Sequence, residues 1–89
     1  MVTNVDLAAL PRFADDLDDL VVALRVHRAE TETALRDINR VWRDATYLEH
    51  RARVLSMNER IEAFETDCLR MIDFLGRKHT AGMRVLNGG

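Results

Sequence analysis

Apolar residues return every seven positions along the first half of the chain. Leu10, Leu17, Leu24, Thr31 and Ile38 form one row, and Phe13, Leu20, His27, Ala34 and Val41 form a second, three residues on. A third row, Ala14, Val21, Arg28, Leu35 and Trp42, widens the stripe to what a helix needs in a bundle. Carried past Trp42, this register would put Glu59, Glu62 and Thr66 in the seam. A new frame fits instead: Tyr47, Val54, Ile61, Cys68 and Leu75 in one row, His50, Met57, Phe64 and Met71 in the other. The frame has slipped by two residues, which turns the apolar face by about 200° around an α-helix. A continuous rod would carry its two stripes on opposite sides, whereas a turn lets them face each other.

The pattern therefore predicts an all-α antiparallel hairpin. Proline occurs once, at Pro11, and neither glycine nor proline recurs before Gly76. Nothing in that interval alternates with the period of a strand. The turn falls at Trp42-Arg43-Asp44-Ala45-Thr46, giving helix 1 from about 9 to 42 and helix 2 from about 45 to 79. Either Asp44 or Thr46 can cap the second helix, and Thr46 with Glu49 has the spacing of a capping box. Asp15, Asp16, Asp18 and Asp19 suit the positive end of helix 1, and Arg36, Arg40 and Arg43 suit its negative end. The hairpin would span residues 1–80, and the glycine-containing segment 81–89 would be a flexible tail.

Folding about residue 44 pairs positions whose numbers sum to roughly 88, as an αα-hairpin requires. Leu24 then meets Phe64, Leu20 meets Cys68, Leu17 meets Met71 and Phe13 meets Leu75, while His27 and Thr31 form a polar notch against Ile61 and Met57. Two helices make one seam and leave their flanks wet. Val21, Leu35, Leu48, Leu55, Leu69 and Phe74 are expected on those flanks, and with His27 they are the expected protein interface. Exposed large side chains forfeit roughly 25 cal/mol per Å² of apolar surface. A second hairpin, either the same chain or a similar helical protein, would recover that by completing a four-helix bundle.

Composition narrows the function more than the fold. Hydrophobic residues are 47% of the chain and charged ones 31%, so neither disorder nor a membrane span is expected. No apolar run reaches the ~18–20 residues of a transmembrane helix. The opening residues lack the basic and apolar regions of a signal peptide, which implies a cytoplasmic protein or one secreted without such a signal. A net charge of −2 gives no general attraction for nucleic acid. The lone cysteine, Cys68, has no internal disulfide partner and reads as a buried thiol.

Candidate chemistry is sparse. His27, His50 and His79 do not form a metal-ligand spacing, so no metal or cofactor is expected. Leu35-Arg36-Asp37-Ile38 resembles the opening of the helical chorismate mutases. The chain has one lysine, Lys78, however, and lacks the converging cations of such an enzyme. The arginines instead read as a solvated face laced with ion pairs, and the chain as a non-enzyme. Two long unbroken helices also do not match a helix-turn-helix DNA reader.

Val41-Trp42-Arg43-Asp44, with Tyr47, Ile61, Phe64 and Leu75 downstream, resembles the WXG-motif (ESAT-like) superfamily of small helical hairpins. By architecture the resemblance covers roughly residues 13–80, and its motif is three residues long. The resemblance implies a turn motif of Trp42, Asp44, Thr46 and Glu49, with Trp42 packed across the seam so that its loss costs several kcal/mol. Family members commonly place glycine where this chain has Asp44; an aspartate serves there as an N-cap, the spelling of a Trp-x-Asp branch. Exported members carry a Tyr-x-x-x-acidic signal after helix 2, and the only tyrosine here is Tyr47. The resemblance therefore implies a partner or targeting helper of a larger secreted effector in type VII secretion. A generic coiled-coil adaptor unrelated to secretion is the competing expectation.

Overall fold

The computed structural model describes residues 6–88, in which two α-helices, α1 (Ala9–Val41) and α2 (Ala45–Leu86), pack antiparallel and no strand occurs among the described residues. Residues 1–5 of the expected hairpin and residue 89 of the expected tail lie outside the described residues.

Each boundary has a local cause. The Asp6 carboxylate accepts from the Ala8 amide at 3.0 Å and the Asp6 carbonyl from the Ala9 amide at 3.0 Å, which satisfies donors that open α1. The four aspartates expected at that end lie beyond the first turn, which contains no acidic residue. Helix α1 stops where Trp42 turns extended, its amide still donating to the Ile38 carbonyl at 2.9 Å. Asp44 then caps α2, accepting from the Tyr47 amide at 2.9 Å. The Thr46–Glu49 capping box does not form: Thr46 is already inside the helix, and Glu49 pairs with Arg53 at 2.8 Å.

The expected end of helix 2 near 79 is too early, because α2 continues through Gly82 to Leu86. Gly82 is where the Leu7 side chain packs against α2, in space that a Cβ would fill. That contact holds the last turns to the start of α1. Gly88, at φ 73°, takes the left-handed conformation in which helices end.

The seam follows the expected hairpin but with rotated helices. Val21, Leu35, Tyr47, Cys68 and Leu75 are its buried apolar residues. In α2 the row Tyr47–Leu75 lies inward as expected. Its companion is Asn58, Glu65, Ile72 and His79, one position later than the expected His50, Met57, Phe64 and Met71. In α1 the third row, with Val21 1% exposed and Leu35 7% exposed, faces α2, while Phe13, Leu20 and His27 turn outward. The expected pairings of Leu24 with Phe64 and Leu17 with Met71 therefore do not describe the core. The physical reason is that a charged residue can enter a seam when its counter-charge enters opposite it, which leaves the purely apolar rows outside.

The molecule measures 66 × 20 × 17 Å with a radius of gyration of 20.0 Å. A globular chain of this length would have about 12 Å. Two helices side by side have no third layer to cover their outer faces.

Candidate functional site

A polar cluster crosses the middle of the seam. Arg28 reaches from α1 and clamps Glu65 with two hydrogen bonds, Nε to Oε2 at 2.6 Å and Nη2 to Oε1 at 2.8 Å. Its Nη1 donates to Glu62 at 3.0 Å, and Arg25 stands 3.5 Å from Glu65. One turn on, Asn58 donates to the Thr31 hydroxyl at 3.0 Å, and that hydroxyl donates to the Arg28 carbonyl at 2.9 Å.

Glu65 is only 3% exposed, so its carboxylate depends on this clamp. The Arg28 hydrogen bonds hold its pKa below the usual glutamate value, with the charges of Arg28 and Arg25 acting in the same direction and burial opposing them. Arg28 is in turn raised, chiefly by its hydrogen bond to Glu65. Among the described residues no buried side-chain nitrogen or oxygen lacks a partner. The cluster is thus closed upon itself. It fixes which residue of α1 meets which residue of α2.

Thr31 is the part of the polar notch that the sequence located. Arg28, Asn58 and Glu65 were missed, although an arginine in the third row level with a glutamate on the other helix was a readable signal.

The turn is a second ordered site. Asp44 accepts the Tyr47 amide through one carboxylate oxygen and the Trp42 indole N–H, at 2.7 Å, through the other. Both bonds lower its pKa, the backbone one most. Trp42 is 54% exposed, so it is held by Asp44 and is not packed across the seam as expected. Tyr47 packs there in its place, 4% exposed with its hydroxyl donating to the Leu35 carbonyl at 2.8 Å.

The outer faces differ. On one side both helices line shallow grooves of mixed character, with Glu32, Arg36, Arg43 and Arg51 beside Leu48 and Leu55 near the turn, and Glu32, Asn58, Glu59 and Glu62 beside Leu55 at mid-length. On the other side lie the displaced apolar rows. At about 100° per residue each of these rows stands about 80° round from the seam, and antiparallel helices bring both to the same side. Phe13, Leu20 and Ile38 of α1 and Met57, Phe64 and Met71 of α2 are exposed there, with Phe64 half in solvent. Phe74 extends this face and carries the Lys78 ammonium 5.6 Å from its ring centre.

The expected interface residues divide accordingly. Val21 and Leu35 are buried within the hairpin, which corrects their placement on the flanks. Leu55 is half-buried, His27 is exposed on the apolar side, Phe74 borders it, and exposed Leu48 and Leu69 lie on the opposite side. Among the described residues no group of three His, Cys, Asp or Glu side chains stands close enough to hold a metal ion, and no helix is long and apolar enough to cross a membrane.

No protein-family model, curated protein or solved structure matches the chain significantly.

Proposed function

We propose that this chain is a non-enzymatic binding module that joins a second helical hairpin through its apolar face, forming a four-helix bundle. The observation that carries this reading is the row of Phe13, Leu20, Met57, Phe64 and Met71 exposed along one side of a hairpin whose buried charge, Glu65, is paired with Arg28 within the seam. Exposed apolar faces of this extent mark protein contacts. In keeping with the WXG-type resemblance, the role is that of a partner or targeting helper for a larger secreted effector.

A second reading, a coiled-coil adaptor unrelated to secretion, is favoured by one observation. Trp42, the residue that carries the resemblance, is mostly exposed and does not pin the hairpin.

The test is crosslinking of the tagged chain in its native host, beside a Phe64→Glu variant. The expected result is a crosslinked helical partner, either this chain or another, that is lost in the variant while helicity is retained. A secreted effector or export component in the product supports the first reading, and its consistent absence supports the adaptor. A chain that stays uncrosslinked, or products insensitive to Phe64→Glu, would overturn both.

A further inference from the structure

The charges that border the apolar face specify its occupant. We propose that the face is covered by a second copy of this chain, related by a two-fold axis parallel to the helices, so that both turns lie at one end and α1 of each subunit packs along α2 of the other. This rests on the binding-module reading and adds the partner and its orientation.

The levels along the hairpin are fixed by contacts across the seam. Thr31 with Asn58, Arg28 with Glu62, and Leu7 with Gly82 have numbers that sum to 89 or 90. Residues obeying that rule sit at the same height. The α1 edge of the apolar face carries Asp16, Glu30 and Asp37, and the corresponding α2 edge carries Arg53, Arg60 and Asp67. By the same rule Glu30 is level with Arg60, and Asp37 with Arg53. Within one hairpin these residues stand on opposite edges of the face and do not meet. Among the described residues Glu30 and Arg60 make no ion pair, while Asp37 and Arg53 make only exposed ones with helical neighbours.

A two-fold axis parallel to the helices lays each α1 edge over the partner's α2 edge. Glu30 then meets the partner's Arg60, and Asp37 meets the partner's Arg53, each pair occurring twice by symmetry. The apolar rows also fall level: Leu20 with the partner's Met71, His27 with the partner's Phe64, and small Ala34 with the partner's long Met57. A perpendicular axis would match the apolar rows as well, so packing does not decide. It would, however, lay α1 on the partner's α1 and α2 on the partner's α2, bringing Asp16 level with the partner's Asp37 and Arg60 level with the partner's Asp67. Two like-charged contacts then offset two opposite ones, where the parallel axis makes four opposite ones. Like charges across an interface oppose that arrangement.

The face is large enough. Stable complexes cover roughly 800 Å² per partner, and about 40 Å of a strip this wide supplies that. The hairpin is 66 Å long and 20 Å wide.

The experiment measures the self-association constant of the full chain by sedimentation equilibrium, with helicity checked by circular dichroism. The wild type is expected to form a dimer at micromolar concentration. Glu30→Arg and Arg60→Glu are each expected to weaken it about tenfold or more, and the double reversal to restore it, because both symmetric pairs are then rebuilt. A dimer that Glu30→Arg tightens, or that the double reversal leaves as weak as the single variants, overturns the orientation. A folded chain that stays monomeric at tens of micromolar overturns the second copy. The binding-module reading survives that result if a Phe64-dependent partner is still crosslinked in the host, and falls with it if none is.

Discussion

Glu65 and Arg28 carry opposite charges into a seam whose other polar groups, Asn58 and Thr31 among them, are uncharged, and each is tolerated only because the other is there. Removing one leaves the other without its partner, whereas replacing both by hydrophobes of similar volume removes the desolvation penalty together with the attraction. Arg28→Met is therefore expected to lower the melting temperature by roughly 10 °C or more, and Arg28→Met with Glu65→Leu to recover most of that loss. A double-mutant cycle by thermal melting checks this, and additive losses would show that the two residues act separately. The same pair sets an acid dependence. A carboxylate whose pKa is lowered by folding contributes stability above its unfolded value, near 4.5, and loses it as pH falls through its folded value. The gap in melting temperature between wild type and Glu65→Gln should thus be widest at pH 7 and narrow below pH ~4.5. A gap that does not change with pH would contradict the clamp.

At the scale of the elements, the turn depends on Asp44 more than on Trp42. Its carboxylate joins the amide that opens α2 to the indole that ends α1, while the indole itself is largely in water. Asp44→Ala is expected to lower the melting temperature by about 5 °C, Asp44→Asn to retain most of the cap, and Trp42→Ala to cost only a few degrees. Thermal melts of the three variants rank them, and a Trp42→Ala loss well beyond that of Asp44→Ala would restore the tryptophan as the pin. The two-residue slip around residue 44 and the inward row Tyr47–Leu75 were legible because they follow from periodicity alone. The companion row was read one position early because hydrophobic periodicity rejects Glu65, Asn58 and Arg28 from a seam one at a time, whereas folding admits them together. The end of α2 was hidden for a similar reason. Gly82 counts against a helix locally, yet it makes room for Leu7, a contact distant in sequence.

For the whole molecule, an elongated pair of helices with most of its large apolar side chains at least partly wet would gain stability by burying them against a partner. If assembly supplies that stability, folding and association are one equilibrium, and the melting temperature must rise with concentration. For a dimer of chains this size, a hundredfold increase in concentration raises it by roughly 5–10 °C. Circular dichroism melts at two such concentrations measure the shift, and the Phe64→Glu variant is expected to melt lower and to lose the concentration dependence. A wild-type melting temperature independent of concentration would mean that the seam of Val21, Leu35, Tyr47, Cys68 and Leu75, locked by Arg28 and Glu65, suffices alone. The apolar face would then be a surface the hairpin offers while already folded, and its partner would bind without contributing to the fold.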